Sequence, residues 1–228
     1  MQLRDTSLLK QVCCIGGEWV TADDGALLAV TNPATGETLA GVPSVGSAET
    51  RRAVAAAEGA FAAWRGRVAK DRSVVLRRWY ELMMANQDDL ALLLTLEQGK
   101  PLAEARGEIA YAAGFVEWFA EEARRVYGDT IPAPLPDRRI IALKEPVGVC
   151  AAITPWNLPA AMVTRKLAAA LAVGCTVVLK PASATPLIAL ALCELAQRAG
   201  APAGVLSWSP VRRASSARNS PPTPPSAS

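Results

Sequence analysis

Two short segments of this chain carry side chains whose types and spacing could do chemistry. In Thr154-Pro155-Trp156-Asn157-Leu158-Pro159, two prolines bracket an indole and a carboxamide, an expensive arrangement for a mere connector. In Leu179-Lys180-Pro181-Ala182-Ser183, an ammonium and a hydroxyl stand together. Each segment ends an apolar, β-branched run that reads as a buried strand, Val147 to Thr154 and Thr176 to Leu179. Each is followed by a helical stretch, Ala160 to Val173 and Pro186 to Ala199. Strands and helices alternating at this length indicate a parallel sheet with crossover connections. In open α/β sheets, ligands bind outside the carboxyl ends of the strands. Lysine and serine at that edge suit a phosphate or a ribose. No G-x-G-x-x-G occurs, so the standard dinucleotide fingerprint is missing. Composition and periodicity alone lead to an α/β domain that binds a phosphorylated small molecule.

Other chemistries drop out. The chain has no histidine, which excludes Ser-His-Asp and Cys-His catalysis within it and argues against a zinc site; no metal site is expected. The five cysteines (13, 14, 150, 175, 193) form no C-x-x-C pair, and the last three sit in apolar runs as small buried hydrophobes with reduced thiols. The net charge of +3 is accounted for by Arg212, Arg213 and Arg218 near the carboxyl end, so the rest is neutral and carries no nucleic-acid footprint. No secretion signal is visible, and the apolar stretch between Lys166 and Lys180 is too short to span a bilayer as a helix. These features predict a cytoplasmic protein with neither nucleic-acid nor membrane partners.

The elements that must position the two segments begin with short extended pieces around the turns Gly16-Gly17 and Asn32-Pro33-Ala34-Thr35-Gly36-Glu37. Ser47 is expected to cap a helix whose stripe is Val54, Ala57, Phe61 and Trp64. Further helices are predicted over Arg72 to Asn86, Asp88 to about Glu97, and Leu102 to Val126, the last with Ile109, Phe115, Trp118 and Phe119 pointing inward. Gly99-Lys100-Pro101 stops the third. Three alternate prolines keep 131–136 out of helix, and Arg139 to Leu143 reads as a strand. The fold class is α/β, a helical amino-terminal layer on a parallel sheet.

The motifs resemble those of the aldehyde dehydrogenase superfamily. The likeness is carried by Ile153-Thr154-Pro155-Trp156-Asn157, Lys180-Pro181-Ala182, Asn32 to Glu37, Glu97 to Leu102, Glu145 to Val149 and Ala199 to Val205, and spans roughly residues 10 to 206. Within the superfamily, Ala160 to Lys166 and Lys180 to Ser183 are most similar to the bacterial NADP-type succinate-semialdehyde branch. The resemblance implies an incomplete Rossmann-like cofactor domain over 1–206, with 127–145 similar to the family's oligomerisation-strand insertion. In the family a cysteine thiolate attacks the aldehyde, hydride passes to nicotinamide, and a glutamate helps water cleave the thioester. Asn157 matches the asparagine that holds the oxyanion, a donor of a kind worth about 3 kcal/mol in the transition state. The cofactor-binding segments match Thr154, Pro155, Trp156, Asn157, Lys180, Pro181, Ala182 and Ser183, with Lys180 on the adenosine ribose. Ser183 stands where NAD-preferring relatives carry a glutamate that would repel a 2′-phosphate, so NADP is implied, with NAD as the alternative. Arg165 matches the arginine that binds the distal carboxylate of succinate semialdehyde. The bland readings are a turn asparagine, a solvated strand-end lysine and an exposed helical arginine. On the resemblance, Asn157 and Lys180 share one crevice, and the intact enzyme is a homo-oligomer.

The family's cysteine and glutamate have no counterpart here, so the chain alone is expected to be inactive. Residues 207–228 contain seven serines and five prolines and are expected to be a disordered, non-homologous tail. Read one base out of phase, the tail is compatible with the family's continuation, as a frameshift would produce. Loss of later strands would leave an unpaired sheet edge and an aggregation-prone chain. Two other readings are a non-catalytic remnant that binds cofactor or associates with intact homologues, and a tail that serves as an interaction arm.

Overall fold

The structure, a computed structural model, describes residues 2–208. The chain opens with two antiparallel hairpins, β1 (Cys13–Ile15) with β2 (Glu18–Val20) and β3 (Leu27–Thr31) with β4 (Thr38–Pro43). Four helices follow: α1 (Ser47–Arg65), α2 (Ala69–Ala85), α3 (Gln87–Gln98) and α4 (Leu102–Glu122). A third hairpin, β5 (Asp129–Ile131) with β6 (Ile140–Ala142), leads to β7 (Val149–Ile153), α5 (Pro159–Val173), β8 (Thr176–Lys180), α6 (Leu187–Arg198) and β9 (Leu206–Trp208).

The helix starts and stops have local causes. Gly46, not Ser47, is the cap of α1, and the Glu49 carboxylate does the capping by accepting from Gly46 N at 3.0 Å and Asp23 N at 3.0 Å. Gly99 ends α3 in the left-handed conformation (φ +88°), where a Cβ would also stand 2.8 Å from Pro33 Cγ. Pro159 occupies the first turn of α5, where its missing N–H costs nothing. The stripes hold with two corrections. Val54 is exposed on α1, and Trp118 is 63 % exposed on α4, whose buried side is instead Ala105, Glu108, Ile109, Ala112, Ala113, Val116 and Ala120. Small residues there let α4 lie close against α5.

The sheet has five strands in the order β2-β1-β9-β8-β7. Neighbours β7, β8 and β9 run parallel, as expected, but β1 joins β9 antiparallel, so the sheet is mixed. Alternation along β8 sorts the two faces. Val177 and Leu179 enter the main core with Leu167, Ala168 and Leu171 of α5. Val178 packs against Ala53 and Ala57 of α1, and Thr176 Oγ1 donates to Ala57 O at 2.9 Å. Helix α1 therefore covers one face, and α5 and α6 the other. Indole donors tie the layers together: Trp64 Nε1 to Leu171 O at 3.2 Å, and Trp79 Nε1 to Leu192 O at 3.1 Å. Gly204 (φ +80°) lets the turn before β9 press on α1, since a Cβ there would lie 2.6 Å from Ala56 O.

Two expectations about strands are corrected. The strand expected to be buried over Val147 to Thr154 is Val149–Ile153 at the sheet edge, with only Ala152 buried in it, Val147 89 % exposed and Ile153 68 % exposed. Edge position, with β8 on one side only among the described residues, accounts for this. The boundary expected at 206 moves as well. Ser207 and Trp208 lie in β9, both fully buried, and Ser207 Oγ accepts from Gly16 N at 3.1 Å. Register against Val178 and Leu179 decides their state, and composition does not. The expectations for 209–228 fall outside the described residues.

Candidate functional site

The carboxyl ends of β7 and β8 meet as the sequence required. Ile153 faces Lys180 in register, and Thr154 N donates to Lys180 O at 3.2 Å. Thr154 is buried while Pro155, Trp156 and Asn157 stand exposed in the loop before α5. After β8, Pro181 is buried, and Ala182 and Ser183 are half-buried in a turn closed by Thr185 N donating to Ala182 O at 3.2 Å.

Lys180 shares the parity of Thr176 and Val178 and so faces α1. There it lines an open, largely apolar cleft of about 500 Å³ with Thr50, Val54 and Glu58 of α1, Val178 and the length of β7. Its Nζ donates to Pro181 O at 3.2 Å. Asn157 is not in this wall. Its backbone carbonyl accepts from Lys100 Nζ at 3.3 Å, which draws the loop toward α4 and α5 on the opposite face. The two groups expected to share one crevice stand at the same sheet edge, and the lining of the Lys180 cleft does not include Asn157. Arg165 is exposed on α5, its guanidinium 5.2 Å from the centre of the Phe115 ring on α4.

The structure also brings in residues to which the sequence gave no individual role. Glu108 Oε1 accepts from Ala160 N at 2.9 Å and Ala161 N at 3.3 Å, at the start of α5. Glu97 Oε2 and Oε1 accept from Leu187 N at 2.7 Å and Ile188 N at 2.8 Å, at the start of α6. Both carboxylates are buried. Burial pushes the Glu97 carboxyl up to about 8 against the pull of the two N–H donors, with the nearby charge of Glu108 adding to the rise. Glu108 is paired with the Lys100 ammonium. The signal in the sequence was an acid inside an apolar stripe: Leu90, Leu93, Leu94, Glu97 on α3 and Ala105, Glu108, Ile109, Ala112 on α4.

These caps carry a chemical consequence. A helix amino terminus is the usual seat of a cofactor phosphate. Here the first free amides of both crossover helices are already bonded to glutamates. At this edge Lys180 and Ser183 remain as polar groups beside the loop.

The cysteines offer no ready nucleophile. Cys13, Cys14, Cys175 and Cys193 are buried, and burial raises the Cys13 thiol to about 11 and also raises Cys150. Cys193, beside the Cys14 thiol and fully enclosed, is raised as well.

Comparison with known proteins accords with this arrangement. The model of the aldehyde dehydrogenase family matches residues 19–218. A glutarate-semialdehyde dehydrogenase of Pseudomonas putida is 67 % identical over 207 residues, covering 91 % of this chain and 43 % of that protein. The NADP⁺-dependent succinate-semialdehyde dehydrogenase of Escherichia coli K12 is 61 % identical over the same shares. An Escherichia coli crystal structure described as an NADP-dependent enzyme superposes with a TM-score of 0.92 at 59 % identity, over 94 % of this chain and 44 % of that one. The chain thus spans less than half the length of the relatives it matches. On the family match and the shared fold, this chain belongs to the aldehyde dehydrogenase family.

Proposed function

We propose that the chain is the amino-terminal part of an NADP-type semialdehyde dehydrogenase, with succinate semialdehyde oxidised to succinate in the intact enzyme. The observation that carries this reading is the junction of the Thr154–Asn157 loop with Lys180 at the carboxyl ends of β7 and β8, in a chain similar to an NADP⁺-dependent succinate-semialdehyde dehydrogenase. Asn157 is the oxyanion donor: among the described residues nothing hydrogen-bonds its side-chain amide, which leaves the N–H free to face a developing charge. Lys180 contacts the adenosine ribose, and Thr154, Pro155, Trp156, Pro181 and Ala182 frame the cofactor edge. Ser183 in its half-buried turn brings no negative charge against a 2′-phosphate, which favours NADP over NAD. Arg165 binds the distal carboxylate of the substrate. The 67 % identity to a glutarate-semialdehyde enzyme favours a second reading, in which the substrate has one more methylene.

The chain alone does not turn over, because its cysteines are enclosed or raised and supply no accessible thiolate. The exposed apolar residues of the β5–β6 arm, Ile131 at 44 %, Ile141 at 67 % and Leu143 at 78 %, fit a segment that packs against another subunit. The five free thiols suit a reducing, cytoplasmic setting. Thermal unfolding with and without nucleotide tests the reading. NADP⁺ should raise the midpoint more than NAD⁺, and Lys180→Ala should remove the rise. No rise with either nucleotide would end the cofactor assignment, and NADPH formation by the chain alone would contradict the missing nucleophile.

A further inference from the structure

We infer that Lys100, held by Glu108, is the positioning residue of the Asn157 loop. The inference rests on the role proposed for Asn157 and adds what fixes that amide in place.

The loop from Thr154 to Pro159 is anchored at both ends. At its start Thr154 N donates to Lys180 O, and at its end Glu108 accepts from the first free amides of α5. Between them the Asn157 carbonyl accepts from Lys100 Nζ. Lys100 reaches the loop from the turn between α3 and α4. It follows the left-handed Gly99, its own N donates to Gln98 Oε1 at 3.0 Å, and its side chain is 11 % exposed against 2 % for Glu108. An ammonium has three donors and no acceptor, so one lysine can serve a carboxylate and a carbonyl at once.

The amino terminus of α6 supplies the internal comparison. Glu97 also caps it through two amides, one on each carboxylate oxygen, and among the described residues no lysine pairs with it; at α5 both amides share Glu108 Oε1, and Oε2 goes to Lys100. Capping a crossover helix therefore does not call for Lys100. What the lysine adds at α5 is a partner for Glu108 Oε2 and, with it, the bond to the carbonyl of residue 157. A donor meant for an oxyanion must be held to about 0.5 Å. The Asn157 amide makes no bond of its own among the described residues, so its backbone must do the holding.

Hydrogen exchange of the 228-residue chain, read by mass spectrometry at peptide level, tests this together with a ¹⁹F label on Trp156. In Lys100→Met, amides 156–158 should exchange at least tenfold faster (about 1.4 kcal/mol of local opening) while 187–190 stay unchanged. The ¹⁹F resonance should broaden or split, and Lys100→Arg should restore both signals. Lys100→Met with Glu108→Gln removes the stranded carboxylate, so α5 stays capped while 156–158 still loosen. Unchanged exchange at 156–158 in both variants, or a rise shared equally by 187–190, would overturn the inference. Asn157→Ala separates it from the functional reading: the carbonyl remains, so exchange and spectrum should match the parent chain. Were an intact enzyme carrying Asn157→Ala to keep full turnover, the oxyanion role would fall and the loop clamp would stand.

Discussion

The amino termini of α5 and α6 are each capped by a buried glutamate, through one oxygen at α5 and through both at α6. Each opens a crossover helix, and each gives two free N–H groups to a buried glutamate from the helical layer, Glu108 from α4 and Glu97 from α3. Only Glu108 meets a lysine. One carboxylate is paired with a neighbouring cation, whereas burial pushes the other up to about 8 against the pull of its two N–H donors. The helix with the ion pair is the one entered by the loop bearing Asn157. Structural caps and candidate chemistry thus use the same device, and a single added charge tells them apart.

The largest effect should come from breaking the paired cap. Glu108→Ala strands a nearly buried ammonium and two amides, and should lower unfolding free energy by about 3–5 kcal/mol. Glu97→Ala orphans two amides and no cation, so about 2 kcal/mol is expected. Denaturant unfolding measures both, and an equal loss from the two would mean that the lysine is energetically irrelevant.

The next effect is a pH dependence that belongs to one cap. The folded state holds the Glu97 proton up to about 8, against an ordinary value of 4.5. Across that window the folded chain binds more protons than the unfolded one, so stability is greatest below 4.5 and falls as pH rises through 8. Glu97→Gln should flatten this slope in a urea series run from pH 5 to 8.5, whereas Glu108→Gln should only reduce it, because burial is the main cause of the rise and the Glu108 charge adds to it. A slope surviving in Glu97→Gln would assign it elsewhere. Smallest of all should be the surface control. Arg52 grips Asp23 bidentately at 2.6 and 2.7 Å, yet both side chains are half exposed, so Asp23→Asn should leave the thermal midpoint where it is.

Much of this architecture was legible in the residues. Helical spacing located all six helices, and Gly99 and Pro159 marked a stop and a start because their backbone preferences are local. The meeting of the loop and the lysine at the strand ends was legible for the same reason: alternation of strand and helix fixes which sheet edge the loops after β7 and β8 share. What escaped was long-range. The glutamate caps join groups 52 and 90 residues apart, and no local pattern says which helix end an inward acid will meet. Trp118 reads as inward by period, yet α4 buries small residues and leaves the indole outside. Ser207 and Trp208 read as the start of a polar tail, but a ready register beside β8 and β1 makes them sheet. The open face of β7 could not be seen either, since a β-branched run looks the same whether one neighbour or two flank it.

The pairing of Cys14 with Trp208 gives the sheet a temporal dimension. During translation the first hairpin leaves the ribosome with its inner flank unsatisfied and must wait until Trp208 has emerged before β9 can dock. The helical layer, whose contacts are nearer in sequence, has time to assemble while that flank waits. Among the described strands β1 is thus the first made and one of the last locked, and its open flank is exposed to mispairing in that interval.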